Sequence, residues 1–222
     1  MKREVDINEI SDGKLYTVND MVKAGCDGCK GCSKCCTGMG DTVVLDPLDI
    51  YRLITHLGCT FEQLLSSSKI VLGVVDGIIL PHLNLDDNGE KCGFLDENGR
   101  CSVHKARPGI CRLFPLGRIY EDDGFKYFLQ IYECPKNNKS KVKVKQWLDI
   151  PEIKDYETYI WNWHCMLKLC ESHIASGDEN VAKQISMYIL TEFYIKPYDK
   201  QISIYKQIDD KIKEFTKKMC TT

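Results

Sequence analysis

Five cysteines fall within the segment Cys26-Asp27-Gly28-Cys29-Lys30-Gly31-Cys32-Ser33-Lys34-Cys35-Cys36. Two residues between successive cysteines let the thiolates curl toward one centre, and Gly28 and Gly31 free the backbone to approach it. Zinc takes four tetrahedral ligands at about 2.3 Å, usually from two separated C-x2-C pairs. Iron-sulfur clusters are commonly served by one compact run of cysteines with a further cysteine from elsewhere, and this run is closer to that pattern. The neighbours Cys35 and Cys36 add a constraint, because adjacent side chains diverge on a helix or a strand. They are therefore expected not to share one small mononuclear ion. Either the site is polynuclear, or each thiol serves a different centre, or one of the two is an apolar packing residue.

A second set is Cys92, Cys101, Cys111 and Cys134. Cys92 and Cys101 flank a turn at Asn98-Gly99, so a hairpin could bring them together. Cys111 follows Arg107-Pro108-Gly109-Ile110 at a helix start, and Cys134 precedes Pro135, as in the Cys-Pro that closes some ferredoxin runs. The cations nearby in sequence, Arg100, Lys105, Arg107 and Arg112, could offset the charge of a thiolate-bound cluster or hold a carboxylate in bidentate fashion. Arg100 reads better as a solvated surface residue, and His104 as a hydrogen-bonded structural histidine rather than a ligand or proton carrier. Cys59, Cys165, Cys170 and Cys220 read as ordinary thiols. His164-Cys165 lies on a helix and is no thiol-protease pair.

Cys29-x2-Cys32-x2-Cys35-Cys36, then Cys92-Gly93-Phe94-Leu95, Cys101-Ser102-Val103-His104, Arg107-Pro108 and Cys111-Arg112-Leu113-Phe114-Pro115 together resemble the YkgJ-type cysteine-cluster family, whose CxxCxxCC domain is a zinc- or iron-chelating one. The likeness runs from about 26 to 134, and Cys26 lies outside its motif. It implies metal binding through Cys29, Cys32, Cys35, Cys36, Cys92, Cys101, Cys111 and Cys134, by an iron-sulfur cluster of the 4Fe-4S type or by zinc. The resemblance extends to the flagellin lysine N-methylases, which implies S-adenosylmethionine as a cofactor and a protein substrate such as flagellin. This chain is shorter than those enzymes. In that reading Arg107 or Arg112 would clamp the methionine carboxylate of the donor.

The residues themselves contain no Rossmann glycine fingerprint, and Cys32-x3-Cys36 is not followed by the third cysteine of a radical C-x3-C-x2-C motif. Methyl transfer would thus fall to the cluster domain itself. The rival is a module that stores, delivers or senses metal without turnover. Thirteen cysteines in 222 residues could suggest disulfides, but the count is odd and no apolar run follows the basic start at Met1-Lys2-Arg3. A cytoplasmic protein with no membrane partner is the expectation. Lys and Arg total 30 against 32 for Asp and Glu, so no broad basic field exists to collect nucleic acid.

The expected fold class is α+β: small antiparallel hairpins and short helices around the cysteine site, with a C-terminal helical extension. Residues 1–25 read as an N-terminal arm with a short strand at 14–18, residues 26–136 as the cysteine-cluster domain, and residues 145–222 as the helical region. Asp46-Pro47 to Gly58 carries an N-cap, a proline at the first helical position and a closing glycine. Thr60-Phe61-Glu62-Gln63 is a capping box. Val74-Val75-Asp76-Gly77-Ile78-Ile79 and the segment around Asp122-Asp123-Gly124 read as hairpins in one small sheet. Lys136–Lys145 is a linker or a lysine-protected edge strand. Helices are expected over the stripe Ile153, Tyr156, Ile160, Trp163, Leu167, Cys170, Ile174, then from about 179 to 195 before Pro197, and over Tyr205, Ile208, Ile212, Phe215 and Met219. These helices could carry a substrate, cover the cluster or form a dimer, so the oligomeric state stays open.

Overall fold

A computed structural model describes residues 6–26, 32–39, 42–86, 89–175 and 179–220. In chain order the described elements are α1 (Ile7–Ile10), β1 (Ser11–Tyr16), β2 (Met21–Gly25), α2 (Pro47–Leu57), α3 (Phe61–Ser66), β3 (Ile70–Val75), β4 (Ile78–Leu83) and α4 (Gly109–Leu113). Then follow β5 (Leu116–Glu121), β6 (Gly124–Gln130), β7 (Ser140–Lys143), α5 (Val144–Leu148), α6 (Ile153–Ile174), α7 (Glu179–Ile189) and α8 (Ile204–Met219). The fold is α+β, with its strands confined to small antiparallel sheets. No described helix is long and apolar enough to cross a membrane.

The chain folds as two compact units, each assembled from two stretches: residues 1–43 with 85–151, and residues 44–84 with 152–222. In the first unit, β1, β6 and β5 form a three-stranded sheet and β2 pairs with β7. The first 25 residues are thus more than an arm, since β1 pairs with β6 and β2 pairs with β7. The basic stretch does become a lysine-bearing strand, β7. β5 and β6 form the expected hairpin, closing at Glu121 opposite Gly124. Tyr127, Leu113, Leu116, Val144 and Leu148 fill the centre of this unit.

The second unit is built on local signals that read cleanly. Asp46 accepts from the Asp49 N–H at 2.8 Å and Gly58 closes α2 in the left-handed region at φ 67°. Thr60 and Gln63 complete the capping box of α3. The β3–β4 hairpin turns through Asp76 at φ 50° and Gly77 at φ 83°, the two positive values that a two-residue turn matching the strand twist needs. A side chain at Gly77 would also stand 2.8 Å from the Ile174 side chain. This hairpin is a separate two-stranded sheet, not part of one sheet with β5 and β6 as expected.

Tyr156, Ile160, Trp163 and Cys170 of the expected stripe are buried on α6, together with Tyr159 and Met166, which the stripe omits. Phe193 is fully buried with its ring centroid 5.2 Å from that of Trp163. The expected helix to 195 changes character before it ends: α7 stops at Ile189 and residues Leu190–Ile195 continue as a π-helix. The Lys196 N–H accordingly reaches back five residues to the Thr191 carbonyl, at 2.9 Å. Ile208, Ile212 and Phe215 bury the apolar face of α8. Ser176-Gly177-Asp178, whose composition reads as a turn, lies outside the described residues.

Candidate metal centre

Every described cysteine of the two predicted sets belongs to the first unit. Cys29 lies outside the described residues, and so do Gly28 and Gly31. Cys35 and Cys36 sit on a single tight turn, Lys34–Cys36, closed by the Cys36 N–H to the Ser33 carbonyl at 2.8 Å. On this turn the two thiols do not diverge: their sulfurs stand 4.0 Å apart, within hydrogen-bonding reach of each other. The expectation of divergence rested on helix and strand geometry, and the turn is neither of these.

Backbone pairing ties this turn to the second set. The Cys92 N–H donates to the Cys36 carbonyl at 2.8 Å, the Gly38 N–H to Glu90 at 2.8 Å, and Thr37 bridges Lys91. Cys92 is buried. The turn at Asn98-Gly99 forms, with Gly99 at φ 67° and the Asp96 carbonyl accepting from the Gly99 N–H at 2.9 Å. The flanks of this turn pair through the single bridge Leu95–Cys101 and the Ser102 N–H to the Phe94 carbonyl at 2.8 Å rather than as two strands, while Cys92 pairs outside it, with Leu85. Cys111 projects from α4, and Cys134 follows β6, its carbonyl accepting from Lys139 Nζ at 3.0 Å.

The electrostatics follow from that placement. The hydrogen bond from Cys36 lowers the Cys35 thiol to about 7, with a further contribution from the Arg107 charge. Cys36 is pushed up, first by that same hydrogen bond, then by burial and by the thiols of Cys35, Cys111 and Cys92. Burial raises Cys101, against the opposing pull of Arg107. Of Cys35, Cys36 and Cys101, Cys35 is thus the readiest thiolate, and Arg107 is the cation that serves both Cys35 and Cys101.

The two candidate arginines differ. Arg112 is buried, and its guanidinium donates to the carbonyls of Arg107 at 3.2 Å, Asp149 at 3.2 Å and Lys105. It braces the 105–112 turn against the end of α5 and is committed to that work. Arg107 donates to His104 Nε2 at 2.9 Å, and its buried Nε has no hydrogen-bond partner among the described residues. His104 is held below its ordinary value by burial and then by the Arg107 charge, so it stays a neutral acceptor.

Cys32, Cys35 and Cys134 line one recess, and Cys26 lines it with them. Cys26 is the residue that motif reading set aside; its spacing of three before Cys29 was the available signal. Among the described residues no three His, Cys, Asp or Glu side chains already converge on one point close enough to hold an ion. No disulfide joins the described cysteines. The donor set is nonetheless uniform: thiols from four chain segments, with a cation beside them. That chemistry fits a soft metal, which would draw the thiols together on binding.

No solved structure matches the chain with significance. A family model matches residues 28–157, more than half of the chain, and carries the description "Putative zinc- or iron-chelating domain". The residues that it spans include the whole Cys29–Cys36 run, Cys92, Cys101, Cys111 and Cys134, and on that match the chain belongs to the CxxCxxCC family of zinc- or iron-chelating cysteine-cluster domains.

Proposed function

We propose that the first unit holds an iron-sulfur centre, of the 4Fe-4S type, on thiolates drawn from Cys29, Cys32, Cys35, Cys36, Cys92, Cys101, Cys111 and Cys134. The observation that carries this reading is the Cys35–Cys36 pair, flanked by thiols from both predicted sets. A single tetrahedral ion uses four ligands. The supply here is larger, and its core is the compact run that such clusters favour. When bound, the cluster would supply electron transfer or a site for coordinating a small molecule. Arg107 would offset its negative charge. Anaerobic purification, iron, sulfide and zinc analysis, and a visible spectrum form the test. Iron and sulfide in a coloured protein are expected, whereas stoichiometric zinc in a colourless protein that takes up no cluster on reconstitution overturns the choice of metal.

Zinc is the second reading. The 4.0 Å between the Cys35 and Cys36 sulfurs is close to the edge of about 3.8 Å expected for a tetrahedron of thiolates at about 2.3 Å from the ion.

Lysine N-methylation of a protein such as flagellin, with S-adenosylmethionine as donor, is an activity this centre could support. The Arg107 guanidinium, with its buried unengaged Nε, supports a carboxylate clamp for the donor, while Arg112 is occupied with backbone carbonyls. Binding of the donor to metal-loaded protein should be lost in Arg107→Ala with metal content unchanged, and methyl transfer to a lysine peptide should fall with it. Absence of binding at millimolar donor leaves a metal-binding module without turnover.

A further inference from the structure

We infer that β3 is a self-pairing edge: two copies of this chain join through Ile70–Val75 laid antiparallel across a two-fold axis at Gly73, merging their β3–β4 hairpins into one four-stranded sheet. The surface belongs to the second unit and is independent of the metal reading. β3 and β4 form a two-stranded sheet in unbroken register, from Ile70 opposite Leu83 to Val75 opposite Ile78. Residues flanking a two-residue hairpin turn exchange both main-chain bonds, and the pairs alternate from there. Val75, Gly73 and Val71 therefore spend their N–H and C=O groups on β4, while Leu72 and Val74 turn theirs away from it. β4 turns Ile79 and Pro81 outward by the same rule, and there the groups are met. The Ile79 N–H donates to Ser186 Oγ at 3.0 Å, and the Pro81 carbonyl accepts from the Leu45 N–H at 2.8 Å. Proline, with no N–H to satisfy, suits that outward position. Among the described residues nothing bonds the outward groups of Leu72 and Val74.

An open edge is ordinarily defended by charge, proline, a bulge or a covering element. The six residues Ile70-Val71-Leu72-Gly73-Val74-Val75 carry no charge and no proline, and Val71, Leu72 and Val74 are exposed, Val74 to 72%. The occupant follows from the symmetry of the strand itself. About Gly73 it reads apolar in both directions, Leu72 against Val74 and Val71 against Val75. With the axis there, Leu72 of each copy pairs with Val74 of the other, and the two pairs supply four main-chain hydrogen bonds. Gly73 faces its own equivalent across the axis, with no side chain to obstruct the approach. Charge fixes the direction. Lys69 precedes the strand and Asp76 follows it, both exposed. Antiparallel copies bring the Lys69 end of one to the Asp76 end of the other, whereas parallel copies would set like charges side by side. A foreign strand has no reason to carry that match at both ends.

The test uses the full chain, purified anaerobically with reductant so that no intermolecular disulfide forms, and sedimentation velocity from about 1 to about 100 µM. A reversible dimer with a Kd on the order of 10 µM is expected for a contact of this size. Hydrogen exchange of the Leu72 and Val74 amides should slow at least about tenfold between those concentrations, while the Gly73 amide, bonded to β4 in either state, should change little. Val74→Lys, at an exposed position, should abolish the dimer and leave the thermal melt in place. Lys69→Glu should weaken the dimer about tenfold by setting like charges at both ends of the paired strands. Met187→Lys, similarly exposed on α7, should dimerise as the parent chain does. A chain that stays monomeric at about 100 µM, or a dimer that survives Val74→Lys, overturns the inference, and an edge that then takes up an extended apolar peptide belongs to a different partner. Dimerisation indifferent to Lys69→Glu overturns the antiparallel arrangement.

Discussion

One thiol from each unit shows how differently the two halves of this chain are held together. Cys170, near the C-terminal end of α6, is fully buried and pushed up to about 12 by desolvation; it is an apolar filler that never ionises at neutral pH. Cys35, in the other unit, is lowered to about 7 by its neighbour and is poised to become a ligand. Around Cys170's unit lie Leu45, Leu48, Ile50, Leu53, Ile70, Ile189 and Phe193, all but sealed from water and carried on long helices and a hairpin. Around Cys35, the stretches 32–39 and 89–108 hold little regular structure beyond isolated bridges and turns. One unit carries its core on regular elements; the other buries a core of its own around Tyr127 and Leu116 but carries most of its thiols on irregular chain.

The largest effect should come from removing the metal. Because a thiolate site absent from the unfolded chain turns binding energy into folding energy, on the order of 10 kcal/mol for structural zinc, chelation should expose the 36–38 and 90–102 amides to hydrogen exchange. Protection in α6 and α8 should persist. Equal loss in both units would break the contrast, and chelated protein that keeps its full circular dichroism and melting temperature would deny the dependence on metal altogether.

A smaller effect, in the opposite unit, should follow Phe193→Ala. Emptying a fully buried aromatic site beside Trp163 should lower stability by about 3–5 kcal/mol. Metal content should not change, and a variant that loses metal along with stability would mean that the units are not separable.

The smallest effect is one of pH. The Cys170 pKa is raised on folding, so the folded state keeps its proton while the unfolded thiol, with an ordinary value of 9, gives it up. The resulting stability is fully present below pH 9 and is lost as pH rises from 9 toward 12. Between pH 8 and 10 the stability difference between wild type and Cys170→Ala should therefore shrink by about 1 kcal/mol, measured by denaturant titration. A constant difference would mean that this thiol is not the neutral filler described.

Local chemistry was what made parts of this architecture legible. Asp46 and Thr60 cap their own helices, and Asp76-Gly77 turns its own hairpin, so each could be read within a few residues. The strands of the first 25 residues could not, because their partners lie in β6 and β7, more than a hundred residues away, and no local pattern encodes that pairing. The π-helical turn at 190–195 left no signal in the apolar spacing. At the site, the spacing of the run identified the thiols, but the closeness of Cys35 and Cys36 depends on a turn whose geometry periodicity arguments do not cover. Arg107 and Arg112 look alike in sequence, and only the carbonyls around Arg112 separate the two roles.

The division of each unit between two stretches of chain also sets an order of events during biosynthesis. Cys26 to Cys36 leave the ribosome roughly a hundred residues before Cys134, an interval of about 5–20 s at ordinary elongation rates. Through that interval the nascent chain carries an incomplete set of thiols, able to capture a stray ion but not to hold it with a full complement of donors. The second unit waits as well, since α2 and the β3–β4 hairpin are made before α6 and α7, which pack against them, exist. The thiol set is therefore complete only once Cys134 has been made, and the supply of metal from that point on, more than before it, decides how much of the first unit is filled.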